Sequence, residues 1–141
     1  MNGRAKIATN SQTVQGGGMA KTILIADDEP NQVAILQALL SERGYKVITA
    51  LSGEQALAKA VNFQPDLVIL DIMMPKMDGT EVAMLLKHDM RTKQIPIFFV
   101  TAVITPEDQA RVSGNPNLIF AKPVKLNELL QAIENAVPNG G

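Results

Sequence analysis

The chain has 141 residues, enough for one domain with a real core and too few for two. Its 46% hydrophobic and 19% charged content argues against a disordered tail, and 13 Lys and Arg against 14 Asp and Glu argue against a nucleic-acid binder. The absence of cysteine rules out disulfide scaffolds, thiolate metal sites and cysteine nucleophiles, and no apolar run approaches the roughly 20 residues that span a bilayer. With no signal-peptide core at the N-terminus, the expectation is a soluble cytoplasmic protein.

Met1 to Gly18 are polar, lack apolar periodicity and end in Gly16-Gly17-Gly18. That composition predicts a flexible leader, either added ahead of a natural start at Met19 or a native disordered arm, with the folded domain over residues 19–141. From Thr22 onward two signals alternate. Ile23 to Ala26 form a continuous apolar run, then Pro30 stands at a first helical position ahead of a Val33, Leu36, Leu39, Leu40 stripe that Gly44 closes. Tyr45 to Thr49 are a weaker strand signal. Ser52 and Gln55 fit a capping box before Leu57 and Val61. Leu67 to Leu70 are the next apolar run, after which Asp78 can cap a helix carrying Val82, Leu85 and Leu86.

Ile97 to Val100 give a further strand, and Thr105-Pro106 opens a short helix that Gly114 stops. Leu118 to Ala121 form the last strand. Leu126, Leu129, Leu130, Ile133 and Val137 then make an amphipathic stripe that ends before Pro138. Runs that are apolar at every residue suit strands covered on both faces, hence a parallel sheet. Five strands alternating with five helices predict an open, doubly wound α/β fold, not a barrel, which needs eight units.

The chemistry is expected where the strands end. Asp27-Asp28, Asp71, Thr101 and Lys122 each follow or finish an apolar run. In a parallel sheet with right-handed crossovers these carboxyl ends lie on one edge, so the residues converge in one crevice. Three carboxylates a few ångströms apart repel, each pair by roughly 1 kcal/mol in water-like surroundings and about 4 at an effective dielectric of 20. A hard divalent cation relieves that repulsion, and Mg²⁺ suits an all-oxygen pocket that meets a phosphate. It also lets an aspartate approach phosphorus, while Thr101 offers a hydroxyl and Lys122 a positive charge to the transferred oxygens. Taken singly, an acidic pair is a capping loop, Asp71 a turn residue, Thr101 a strand end and Lys122 a solvated charge. Their joint placement at four strand ends favours a phosphoryl-acceptor site.

Asp27-Asp28-Glu29, the segment from Asp71 to Gly79 (Asp-Ile-Met-Met-Pro-Lys-Met-Asp-Gly), Thr101-Ala102 and Lys122-Pro123 together resemble the hallmarks of response-regulator receiver domains. The resemblance runs from Lys21 to about Val137. It implies the flavodoxin-like strand order 2-1-3-4-5 and phosphorylation on Asp71. It further implies Mg²⁺ or Mn²⁺ held by Asp28, by Asp27 through water, by Asp71 and by the Met73 backbone carbonyl. Thr101 would follow the phosphoryl group, and Lys122 would pair with it, held by a cis peptide bond to Pro123. The implied partners are a histidine kinase or a histidine phosphotransfer protein as donor and a downstream protein as target. Neither nucleic acid nor membrane is touched directly, and the chain is a monomer or a phosphorylation-dependent dimer.

Two departures stand out. Many members of this family carry an aromatic residue three positions before the lysine, where Ile119 stands here, with Phe120 on the alternate, core-facing phase. The segment between Thr101 and Lys122 is also about one residue short. Met73 and Val103, at positions bordering the path of hydrolytic water in the family, are both apolar, so slow self-dephosphorylation is expected and no other catalysis. His88 reads as a solvated cap, and Lys87, Arg91 and Lys93 as a solvated basic face.

A stand-alone receiver is the preferred reading, and a receiver excised from a hybrid kinase or a longer effector-bearing regulator the alternative. A haloacid-dehalogenase-type phosphatase wants a second aspartate where Met73 stands. Dinucleotide binding wants a glycine-rich turn where Asp27-Asp28-Glu29-Pro30 stand.

Overall fold

The computed structural model describes residues 20–102 and 118–138, and every structural statement below concerns them. The leader, the helix expected from Thr105 and the side chain of Val103 lie outside the described residues. In chain order the elements are β1 (Thr22–Ala26), α1 (Pro30–Glu42), β2 (Lys46–Ala50), α2 (Gly53–Phe63), β3 (Leu67–Asp71), α3 (Gly79–Lys87), β4 (Ile97–Thr101), β5 (Leu118–Ala121) and α4 (Leu126–Ala136). The five strands form one parallel sheet in the order β2-β1-β3-β4-β5.

Alternation along each strand divides the core in two. Leu24, Val68, Leu70, Ile97 and Phe99 face α2 and α3, meeting Ala56, Ala60, Val82 and Leu86. Ile23, Ile25, Leu67, Ile69, Phe98 and Val100 point the other way, onto Val33 and Leu40 of α1 and Leu129, Leu130 and Ile133 of α4. Both faces of β3 and β4 are buried throughout, which is why their sequences carry no polar alternation. Strand β2 lies at the sheet edge and is only half-buried, which accounts for its weaker signal.

Local chemistry sets the helix ends. Asp78 and Glu81 form a reciprocal capping box: the Glu81 N–H donates to Asp78 Oδ1 at 3.0 Å and the Asp78 N–H to Glu81 Oε1 at 3.2 Å. At α2 the Gln55 N–H donates to Ser52 Oγ at 3.1 Å, but Gln55 Oε1 reaches back to the Leu51 N–H at 3.0 Å, one residue earlier than a standard box. Gly44 follows α1 at φ 90°, a conformation that glycine adopts without a Cβ penalty.

Three expectations change. Leu85 is 40% exposed and Ala83 takes the inward position, because α3 turns Thr80, Val82, Ala83 and Leu86 onto the core. Both Ile119 and Phe120 are half-buried against a core, one on each sheet face, so a core-facing phase does not distinguish Phe120. The basic cluster is a solvated face at Arg91 and Lys93, both exposed, but not at Lys87. Lys87 Nζ is half-buried and donates to the Ile95 carbonyl at 3.3 Å, and burial lowers its pKa. Arg91 is committed to Asp89 at 2.7 Å and holds that carboxyl down at about 2.

One buried hydrogen bond ties distant parts of the chain. Tyr45 Oη donates to the Val137 carbonyl at 3.0 Å, joining the start of β2 to the residue after α4. Tyr45→Phe keeps the ring and removes this bond, so urea denaturation should show a loss of about 1 kcal/mol. An unchanged midpoint would mean that the bond contributes nothing net.

Candidate functional site

The carboxyl edge of the sheet assembles the site. Asp27 follows β1 directly, Asp71 and Thr101 end β3 and β4, and Lys122 follows β5. Parallel pairing of β3 with β4 and of β4 with β5 brings these ends level, Asp71 opposite Val100 and Thr101 opposite Ala121. Asp27, Asp71 and Thr101 are buried, with Thr101 fully enclosed. Asp28 is exposed at the rim.

Each buried carboxylate uses its two oxygens differently. Asp27 Oδ1 accepts from the Glu29 N–H at 2.9 Å, and Asp71 Oδ1 from the Met73 N–H at 3.0 Å. These bonds fold each turn back on its own aspartate. The second oxygens, Asp27 Oδ2 and Asp71 Oδ2, each accept from Lys122 Nζ at 3.0 Å. The ammonium therefore sits between two carboxylates, one on either side. It is held there by β5, whose partner strand also takes the Lys122 N–H at the Thr101 carbonyl, 2.8 Å away. The peptide bond from Lys122 to Pro123 is cis.

Burial pushes the Asp71 carboxyl above its ordinary pKa, and the nearby Asp27 charge adds to that. Hydrogen bonds from Lys122 and the Met73 amide offset the rise only in part. Burial works to lower the Lys122 pKa, but its bonds to Asp27 and Asp71 prevail and raise it. Lys122 is charged at neutral pH. One positive charge faces three carboxylates.

Ligand oxygens from Asp27, Asp28 and Asp71 lie within 4.8 Å of one another. That all-oxygen donor set, carrying two more negative charges than Lys122 balances, fits a hard divalent cation. A cavity of about 440 Å³ opens beside it between α1 and the segment leading into α4, with Gln32, Ile35, Leu36, Val124 and Leu126 among its walls. Leu126, expected on the core stripe of the last helix, borders this cleft and is 38% exposed.

Two glycines touch this framework: Gly79, which closes the Asp71 to Gly79 segment of the sequence motif, and Gly53, which sequence reasoning missed. A Cβ on Gly79 would overlap the Asp71 carbonyl oxygen and lie 3.0 Å from its carbon, so only glycine lets α3 begin against the Asp71–Ile72 peptide. Gly53 makes a similar approach to Met77. The Asp78-Gly79 pair was visible as a helix start, but nothing in the sequence announced what the glycine faces.

The response regulator receiver domain model matches residues 23–134, and the chain belongs to that family. It is 30% identical over 118 residues to the polar-differentiation response regulator DivK of Brucella ovis, a match covering 83% of this chain and 96% of DivK. It is 48% identical over 84 residues to the alkaline phosphatase synthesis transcriptional regulatory protein PhoP of Bacillus subtilis, covering 60% of this chain. There the chain spans only 34% of the relative's length. Among solved structures, response regulator protein TrrA of Thermotoga maritima in complex with Mg²⁺-BeF superimposes with a TM-score of 0.74 at 34% identity, covering 83% of this chain and 99% of TrrA. Among the described residues no helix is long and apolar enough to cross a membrane.

The raised Asp71 pKa has a consequence for the metal-free protein. The fold favours the protonated acid, so stability is greatest below the unfolded carboxylate pKa and falls as pH rises through the higher folded value. Asp71→Asn mimics the protonated shape without the charge. In chelator at pH 7 its denaturation midpoint should exceed that of the wild type, with the gap closing toward pH 3. A variant no more stable than the wild type at pH 7 would show that Lys122 fully compensates the buried charge.

Proposed function

We propose that this chain is a phosphoacceptor of a two-component phosphorelay, with Asp71 taking a phosphoryl group from a phosphohistidine on a histidine kinase or histidine phosphotransfer protein. The observation that carries this reading is the Asp27, Asp28 and Asp71 cluster with Lys122 bridging two of its members. An Asp71 oxygen attacks phosphorus, the new P–O bond forms as the P–N bond breaks, and the donor imidazole leaves. Mg²⁺ or Mn²⁺ held by Asp28, Asp71 and the Met73 carbonyl, and by Asp27 through water, would neutralise charge between carboxylate and phosphoryl oxygens. Lys122 is within reach of Asp71 and would move its contact to the incoming phosphoryl oxygens. Thr101, at the adjacent strand end, would offer its hydroxyl to the same group and report its arrival. The TrrA complex with Mg²⁺-BeF supports the metal assignment by similarity.

The output is a binding surface whose population shifts on phosphorylation, acting on a downstream protein, with Ile119 in place of the family's aromatic switch. The setting is cytoplasmic, without direct nucleic-acid or membrane contact, and the chain is a monomer or a phosphorylation-dependent dimer. Near-complete coverage of DivK supports a stand-alone regulator. Partial coverage of PhoP supports the alternative, a receiver within a longer protein. Residues 1–18 would be a leader outside the receiver. Met73, exposed and apolar beside Asp71, supports slow loss of the phosphoryl group.

Incubation with Mg²⁺ and a small acyl phosphate, followed by intact-mass measurement, tests this reading. One phosphoryl group should add to the wild type, none without metal and none to Asp71→Asn. After donor removal the adduct should persist for minutes or longer. Equal labelling of wild type and Asp71→Asn would overturn the assignment, and decay within seconds would overturn the slow-hydrolysis expectation.

A further inference from the structure

The loop from β3 to α3 carries Met73 and is tightly folded. The Met74 N–H donates to the Ile72 carbonyl at 3.0 Å, and the Met77 N–H to the Pro75 carbonyl at 2.8 Å. Lys76 holds φ at 71°, a left-handed conformation that non-glycine residues rarely adopt. The Gly79 N–H also donates to the Ile72 carbonyl, at 3.0 Å. The Ile72 carbonyl thus accepts from both ends of the loop and ties them together.

A second element bears on this loop from outside. Gly53, the first residue of α2, is buried against Met77. A Cβ there would overlap the Met77 carbonyl oxygen and lie 3.0 Å from its Cβ and 3.1 Å from its Cγ. The obstructing atom is backbone, so no rotamer change relieves it. The end of α2 cannot easily retreat either. Ser52 and Gln55 cap it, and Ala56 and Ala60 are fully buried in the core.

We propose that Gly53 is a positioning residue for the metal-binding loop, holding it at Met77 and through Gly79 and Ile72 fixing the placement of Met73. The proposal rests on reading Asp27, Asp28, Asp71 and Met73 as the metal site. Gly53 is 18 positions before Asp71 in the sequence and belongs to none of the motifs that define the site. Its missing side chain is what allows α2 to serve as a wall for the loop. The wall that α2 presents at Gly53 and the tie at Ile72 together confine the left-handed turn at Lys76.

The test is an Mg²⁺ titration followed on the backbone amide resonances of residues 72–74 and 76–78 in wild type, Gly53→Ala and Glu54→Ala, the last altering an exposed neighbour on the same turn. Melting in chelator is recorded alongside. Gly53→Ala should weaken Mg²⁺ binding by about tenfold or more, as removal of a metal site's outer support does, and Glu54→Ala should leave it unchanged. A role confined to folding would lower the melting temperature of Gly53→Ala while leaving its Mg²⁺ affinity within twofold of wild type, and would overturn the proposal. If Gly53→Ala does not fold, hydrogen exchange in the wild type decides. Mg²⁺ should slow exchange at the Gly53 and Glu54 amides, and unchanged exchange there would overturn the proposal. Absence of saturable shifts in the wild type itself would instead remove the metal reading on which the proposal stands.

Discussion

The Lys122 ammonium lies 3.0 Å from a carboxylate oxygen of Asp27 and 3.0 Å from one of Asp71. Burying two like charges close together is costly unless a counter-charge stands between them, and leaving either carboxylate alone would be costlier still. The three groups come from β1, β3 and β5, so their meeting depends on the strand order and on the shared direction of all five strands. The remaining negative charge, including Asp28 at the rim, is the charge that a divalent cation would offset. Core, sheet and loops can be understood as the means of holding that arrangement.

The supporting architecture is economical. Each buried aspartate accepts one backbone N–H two residues on, which sets the turn leaving its strand and orients the carboxylate. Glycine at the start of α3 allows that helix to begin against the Asp71 peptide. The core packs both faces of β3 along its whole length, up to the aspartate at its end. Those constraints leave the acidic edge open to the cleft beside α1 while the strand ends stay fixed.

Much of this was legible from the sequence because the strongest physical signals are local. Uninterrupted apolar runs at Leu67–Leu70 and Ile97–Val100 mark strands buried on both faces, and polar residues placed just after such runs mark the carboxyl edge. Topological rules then bring Asp27, Asp71, Thr101 and Lys122 together without any knowledge of contacts. Side-chain commitments were less legible. Lys87 and Arg91 look alike as charges in sequence, yet one reaches a buried carbonyl and the other pairs with Asp89. Leu85 shares the helical period of a core residue, but α3 is short and rotated so that Ala83 faces inward. The close approaches at Gly53 and Gly79 depend on how three elements dock, which periodicity does not encode.

On the proposed reading, the acidic edge of the sheet receives a divalent cation. Thermal unfolding across the millimolar range of Mg²⁺, against NaCl at matched ionic strength, puts this to the test, with Asp28→Asn as the comparison. A ligand that binds only the folded state raises the melting temperature continuously with its concentration. The wild type should show such a rise, well beyond that with NaCl, and Asp28→Asn a smaller one. Identical curves in Mg²⁺ and NaCl would contradict it.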